Sequence, residues 1–477
     1  MRFDNRYAGF AWAGAHVQPS PLVGPRLLLL NTALAEQLGI ELSQEQWRDL
    51  VAGHWLAPGM APFAQVYAGH QFGGFSPQLG DGRALLLGEV ITPSGQRWDL
   101  NLKGGGKTPY SRFGDGRAVL RSSLREYLAS EALYHLGIPT TRALALVTSK
   151  QPVYREQVEA GAAVLRAAPS HLRFGHFEYF YYAGQTEHIP TLLDYLIDTQ
   201  WPDLSKDSAG YGELFTRVVE KTAALIAQWQ LVGFCHGVLN TDNMSMLGLT
   251  LDYGPYGFLD AYDGDHICNH SDTGGRYAYD QQPAVGYWNL QRLAQALSGV
   301  IEMEKLQVAL SQYEGQLMRA YSEGMRQKLG LSSWEETDPV LFRDMFSLMQ
   351  QHKVDYTCWF RRLAGVSESG AIPADLQALL PDTNAFALWF SQYQLRLARE
   401  PNKDHERVRQ MHSVNPKYIL RNHLAQQAII NAEQGDLSEA DTLLMLLARP
   451  FDEQAEFERY AEPAPAWASE LAISCSS

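Results

Sequence analysis

The sequence predicts an α+β protein in two lobes, β-rich first and helical second, with an extension at each end. Three observations predict it. A strand-like pattern with glycine turns runs from Phe63 to about Lys103 and further strands follow between 143 and 167, whereas the chain beyond Ile189 is mostly helical. A strand lysine, Lys103, lies 23 residues before Glu126, which sits in a strongly patterned helix. Finally, His236-Gly237-Val238-Leu239-Asn240-Thr241-Asp242-Asn243 is followed nine residues later by Asp252-Tyr253-Gly254. These are the spacings of protein-kinase catalytic and metal loops, so the expected architecture is protein-kinase-like. The join between lobes falls near 185–195. It gives an N-terminal extension (1–60), an N-lobe (61–190), a C-lobe (191–345) and a helical C-terminal extension (346–477).

Along the chain, residues 1–60 read as irregular, with one or two short helices. The apolar run 84–90, bounded by Gly82 and Pro93, and the alternating run 98–103 read as strands. Gly104-Gly105-Gly106 reads as a flexible loop. The helix expected over 121–136 gathers Leu124, Tyr127 and Leu128 on one face. Ser122 or Ser123 would cap it, and Gly137 with Pro139 would end it. Strands are expected at 143–147, 151–158 and 162–167. A long helix over 214–231 leads into His236, and further helices are expected at 290–297, 306–325 and 418–432.

Composition narrows the function. The chain has 53 acidic and 39 basic residues and a formal net charge of −14, which argues against nucleic acid as a partner. No apolar run approaches the ~20 residues of a membrane span. The short run 27–30 lacks the marks of a signal peptide, so a cytoplasmic monomer is expected. Four cysteines are too few and scattered for a disulfide framework or a paired metal motif. Cys475, flanked by serines near the end, reads as an exposed redox-candidate thiol. Cys268 falls 16 residues after Asp252, where kinases place their activation segment, and a Cys268–Cys475 bond would tie that segment down.

Gln78-Leu79-Gly80-Asp81-Gly82-Arg83 precedes a strand. Glycines there let backbone N–H groups approach phosphate; alone they read better as a plain β-turn, and their position ahead of Lys103 favours the phosphate role. Lys103 suits nucleotide phosphates, with Glu126 as its helix partner and Glu131 as the competitor. Asp115-Gly116 marks another turn, and Arg166 and Arg173 are suited to bidentate phosphate contact. Asn243 and Asp252 match the kinase metal ligands, hard oxygens of the kind Mg²⁺ takes. The kinase base position is Val238, which accepts no proton; Asp242 beside Asn243 could take that role.

Several long runs are similar to the selenoprotein O family of kinase-like proteins. They are Tyr67-Ala68-Gly69-His70-Gln71-Phe72-Gly73, Gln78–Arg83, Leu102–Arg112, His236–Met244 and Asn415–Asn422, with Cys475 where eukaryotic members carry selenocysteine. The resemblance covers nearly the whole chain. It implies a protein adenylyltransferase that moves AMP from ATP to Ser, Thr or Tyr hydroxyls, with ATP flipped relative to kinases. It implies nucleotide contacts from Gly80, Gly82, Arg83, Lys103, Asp115, Gly116, Arg166, Arg173 and Asp252. Mg²⁺, with Mn²⁺ as the alternative ion, would sit on Asn243 and Asp252, and Asp242 would be the proton acceptor. Two rivals stay open: a phosphotransferase with an atypical base, and an inactive nucleotide-binding scaffold.

Overall fold

The computed structural model describes residues 1–380, 384–401 and 404–471. It is an α+β structure, with an antiparallel sheet in the first third and helices dominating thereafter. The strands are β1 (Gly14–His16), β2 (Arg26–Leu30), β3 (Phe63–Gln65), β4 (Gly69–Gln71), β5 (Gly74–Ser76), β6 (Ala84–Ile91), β7 (Arg97–Lys103), β8 (Ala118–Val119), β9 (Arg142–Tyr154) and β10 (Val158–Ala168). The main sheet runs β1-β3-β6-β7-β10-β9-β2, with β8 also on β10, while β4 and β5 form a separate hairpin.

Residues 1–60 therefore supply both edges of the sheet, besides α1 (Thr32–Leu38) and α2 (Gln44–Val51). The expected strands 143–147 and 151–158 are not separate: β9 runs unbroken to Tyr154 and turns into β10. α3 (Leu120–His135) matches the expected helix except at its start. It springs directly from β8, so its N-cap is Val119 and neither Ser122 nor Ser123 caps it. The expected helix 306–325 is two helices, Met303–Ser311 and Tyr313–Lys328, and 418–432 begins only at Asn422.

Register decides which side chains meet. In β7 the polar residues Asp99, Asn101 and Lys103 alternate with Leu100 and Leu102. Lys103 pairs with Ala84 of β6 and Val164 of β10, and Asn101 pairs with Arg166. Directly opposed residues share a face, so Lys103 and Arg166 project together toward α3. The other face carries Leu100, Leu102, Leu165 and Ala167, which join a core with Trp47 of α2 and Leu38 of α1.

The chain continues through α4 (Phe174–Tyr182), α5 (Ile189–Gln200) and the 25-residue α6 (Ser208–Val232). The Asp207 carboxylate caps α6 by accepting from the Ala209 and Gly210 N–H groups, and Gly233 at φ +71° ends it. Both ends are thus fixed, and α6 delivers the chain into His236. α7 (Gln282–Leu297) packs behind that loop; its Asn289 donates to the Leu239 carbonyl at 2.9 Å. The run Asn415–Asn422 serves packing: Arg421, fully buried, meets Asp260 at 2.6 Å and Asp355 at 2.9 Å. No helix among the described residues is long and apolar enough to cross a membrane.

Two buried carboxylates, Glu89 and Asp99, face each other across β6 and β7. Burial, then their mutual repulsion, pushes Glu89 up toward neutrality, and burial pushes Asp99 the same way. Raised folded values mean that protonation favours the native state. That contribution is complete below the ordinary carboxylate range near ~4 and is lost as pH rises through the folded values. Replacing Asp99 by Asn should therefore flatten the decline in thermal midpoint between acid and neutral pH. Differential scanning calorimetry across that range checks it; an unchanged slope contradicts it.

Candidate active site

A cavity of about 610 Å³ opens between the sheet and the 238–255 loops. Gly80, Gly82 and Arg83 line it from the turn before β6, and Lys103 from the end of β7. Asp115 and Gly116 line it from the loop before β8, Arg166 from β10, and Arg173 from the run before α4. Asp242, Asn243 and Asp252 form its opposite wall. Glu126 stands behind Lys103. Among the described residues the structure thus gathers the residues selected for nucleotide, metal and proton, with Glu126 behind them, and leaves out Cys268. Seven cationic side chains line the cavity against four aspartates. In a chain of net charge −14, that local reversal suits an anionic ligand.

The centre is an ionic cluster. Lys103 Nζ lies 2.5 Å from Glu126 Oε2 and 3.9 Å from Asp252 Oδ1. Arg166 Nη1 bridges Glu126 Oε1 at 3.0 Å and Asp252 Oδ1 at 2.6 Å, and Arg173 Nη1 contacts Asp252 Oδ2. Glu131, the competing partner, is instead taken by Arg142 at 2.7 Å. Burial alone would raise the Asp252 carboxyl, but Arg173, Arg166 and Lys103 together hold it well below the usual carboxylate range. Burial lowers the Lys103 ammonium against the pull of Glu126.

Asp242 is in a different environment. It is buried beside the β4–β5 hairpin, and Arg173 contacts its backbone carbonyl at 2.9 Å rather than its carboxylate. Burial pushes its carboxyl up to about 7, opposed by a hydrogen bond from Gln71 and by Arg173. Two aspartates of one cavity with opposite shifts point to distinct chemical roles. The surrounding loop is pinned. His236 Nε2 contacts the Leu251 carbonyl at 2.8 Å, and its backbone N–H donates to Gln282 Oε1. Tyr277 O–H donates to Asn240 Oδ1 at 2.6 Å.

The Asn243 amide donates to the Val238 carbonyl at 2.9 Å, which leaves Oδ1 for a cation. Among the described residues no group of three or more His, Cys, Asp or Glu side chains could hold a metal by itself. Asn243 and Asp252 supply two oxygens, which fits Mg²⁺, an ion that takes one or two protein ligands plus waters and phosphates. Cys268 is buried near the Gly237 and Gly257 backbones, away from the cavity lining. Its contact with Cys235 and its burial push the thiol well up, which disfavours the thiolate. Cys475 lies outside the described residues.

The glycine loop 104–106 is clamped rather than flexible: Gly106 N–H donates to the Gly116 carbonyl at 3.0 Å. Gly116 is at φ +72°, and a Cβ there would meet the Gly106 carbonyl at 2.2 Å. Sequence reasoning missed Asp81, Gln71 and Arg155. Burial pushes Asp81 up to about 6. Arg155 grips Asp115 in a bidentate pair at 2.9 and 3.0 Å. Gln71 was visible inside the run 67–73, but nothing in that run pointed to Asp242, 171 residues away.

A cationic cleft against a sheet suits a phosphate-bearing ligand, and comparison with known proteins makes the protein a transferase of nucleotides. More narrowly, the chain belongs to the SelO family, whose model, described as protein adenylyltransferase SelO, matches residues 13–448. It is a nucleotidyltransferase. It is 61% identical to the protein nucleotidyltransferase YdiU of Aeromonas hydrophila over 479 residues, covering 100% of both chains. The proteins of the same name from Pectobacterium atrosepticum and Myxococcus xanthus are 54% and 51% identical, over 100% of this chain and 99% of each of theirs.

Gly69 leaves room for the Asp242 side chain. A Cβ at 69 would lie 2.4 Å from Asp242 Oδ1 and 2.8 Å from its Cβ. Gly69→Ala should therefore displace the carboxylate and lower the transfer rate by ~10²-fold, the usual cost of a misplacement near 1 Å. Steady-state transfer assays check it, and a wild-type rate would show that the carboxylate's place is unimportant.

Proposed function

We propose that the chain transfers AMP from ATP to Ser, Thr or Tyr hydroxyls of proteins. The observation that carries this is the pair of aspartates: Asp252 is bound by Lys103, Arg166 and Arg173, whereas Asp242 takes the Gln71 amide on the same cavity wall, and Val238 stands at the kinase base position. On this reading the fold is a kinase-like pair of lobes, 61–190 and 191–345, flanked by extensions 1–60 and 346–477. Relatives named protein nucleotidyltransferase support the protein acceptor.

In the reaction the acceptor hydroxyl attacks the α-phosphorus of ATP. A new P–O bond forms, the bond to the bridging oxygen breaks, and pyrophosphate leaves. Asp242 takes the hydroxyl proton as general base. Arg83, Lys103, Arg166 and Arg173 bind the β- and γ-phosphates and neutralise the leaving charge. That demand explains why the cleft carries more cations than a single phosphate-binding lysine. It also orients ATP back to front relative to kinases, with its inner phosphorus toward Asp242. Gly80 and Gly82 bring backbone N–H groups close, and Asp115 and Gly116 contact the nucleotide from the loop before β8. Asn243 and Asp252 would hold Mg²⁺, or Mn²⁺ in its place, which supplies charge neutralisation at the phosphates. A redox bond between Cys268 and Cys475 belongs to the same reading as a restraint on the 255–280 segment.

Incubation with ATP labelled at the α- or the γ-phosphate separates the alternatives, scoring label on all protein present, including an added unfolded protein. Label from the α-position alone supports AMP transfer. Label from the γ-position alone makes the protein a kinase, and bound ATP with no transfer makes it a scaffold. Asp242→Asn should keep ATP binding and lower turnover by ~10²–10⁴-fold. Asp252→Asn should abolish turnover and make ATP affinity insensitive to Mg²⁺. Normal turnover in either variant sinks its assigned role.

A further inference from the structure

We propose that Gln71, on the β4–β5 hairpin, is the positioning residue that fixes the Asp242 carboxylate with Oδ2 as the atom receiving the acceptor's proton. The inference rests on the assignment of Asp242 as the base. The family signature contains Gln71, but the nucleotide contacts leave it without a task.

The geometry separates the two carboxylate oxygens. Gln71 Nε2 donates to Oδ2 at 3.0 Å. Oδ1 is buried and has no hydrogen-bond partner among the described residues. Its near side is closed by Gly69, where even a methyl group would intrude to 2.4 Å. A hydroxyl therefore has no approach to Oδ1. Oδ2 has one lone pair on the Gln71 amide and one left for a proton. Gln71 and Asp242 both line the cavity, so the free lone pair is within reach of a bound acceptor.

Something must hold that orientation, because the terminal torsion of an aspartate is broad and close to two-fold. The neighbouring charges do not hold it. Arg173 contacts the Asp242 carbonyl, and Asp252 is itself bound by Arg173 and Arg166. On the hairpin side His70 is paired with Glu178 of α4 at 2.5 Å, Tyr277 is spent on Asn240, and α7 presents the uncharged Asn289. The Gln71 amide is the side-chain hydrogen bond the carboxylate has.

Gln71 is in turn fixed by its hairpin. Cross-strand register pairs Gly69 with Ser76, His70 with Phe75 and Gln71 with Gly74. The His70 N–H donates to Thr241 Oγ1 at 2.7 Å, one residue from the base. The Phe72 N–H donates to the Tyr277 hydroxyl at 2.7 Å, and Tyr277 donates on to Asn240. Phe72 holds φ +51° there, a conformation bulky residues rarely adopt. Hairpin and catalytic loop therefore form one unit, and the amide cannot drift from the carboxylate.

The test is kinetic and uses the full chain with Mg²⁺, α-labelled ATP and the same protein acceptors. Gln71→Met keeps length and loses the donor. Its kcat should fall about 10- to 100-fold while KM and Kd for ATP stay within about twofold. Gln71→Leu, also apolar and without a donor, should behave the same and serves if the Met variant folds poorly. If Gln71 acts only through Asp242, the double variant Gln71→Met with Asp242→Asn is no slower than Asp242→Asn alone. Wild-type kcat in both Gln71 variants overturns the inference. So does a parallel loss of ATP affinity, or an additive loss in the double variant, since either means a scaffold role. Asp242→Asn separates the two levels: if it is fast, the base assignment fails. If it is slow while the Gln71 variants are fast, only the positioning role fails.

Discussion

Two carboxylates, Glu126 and Asp252, share three buried cations, Lys103, Arg166 and Arg173, and much of the molecule exists to keep those five charges together. Each comes from a different segment: β7, α3, β10, the run before α4 and the loop after β11 (Phe234–Cys235). Removing charge from water costs several kcal/mol per ion unless partners replace the lost hydration. Here every member has at least one opposite partner within 3.0 Å. The cluster therefore acts as a staple: sheet, helix and late loop reach low energy only when brought to one point. Asp252 even accepts a left-handed backbone at φ +53° to meet it.

The same logic separates what the sequence reveals from what it hides. Short-range signals are legible. The alternation in β7, the apolar face of α3 and the 23-residue step from Lys103 to Glu126 are local patterns, and each has its counterpart in the structure. Distant pairings are not. β2 reads Arg-Leu-Leu-Leu-Leu, with no alternation, and becomes a strand only because β9 offers it an edge. β1 has three residues and exists through β3. The helix over 306–325 breaks at Gln312, where no proline or glycine marks the point; we have no physical account of that break.

In the site, legibility followed chemistry. Residues with an obvious task for a nucleotide carry their own signal: glycines before a strand, a strand lysine, paired arginines, an Asp-aromatic-Gly. Residues whose task is toward another residue do not. Arg155 matters because it grips Asp115, and Asp81 because it is buried under Gln65, whose backbone N–H it accepts at 3.1 Å. Neither relation is visible until the chain is folded. The motif Asn415–Asn422 shows the converse: it stands out in the sequence, and its Arg421 is spent on the buried pairs with Asp260 and Asp355, outside the cavity lining.

The ionic cluster also sets how a nucleotide would be received. Asp252 satisfies two buried guanidinium groups, Arg166 and Arg173, that on the proposed reading also meet phosphate. Phosphate contact then asks for little fresh desolvation of the arginines, because they are already dry. Their cost was met on folding. Contact of this kind favours a ligand that brings negative charge, and a triphosphate does so where a nucleoside does not. The chain as a whole, at net −14, repels free polyanions that come within a Debye length of about 8 Å of its acidic surface. A nucleotide whose charge is partly neutralised by a divalent ion meets less of that barrier. On the proposed reading, an acidic exterior around a cationic cleft therefore favours a nucleotide that arrives with a divalent ion.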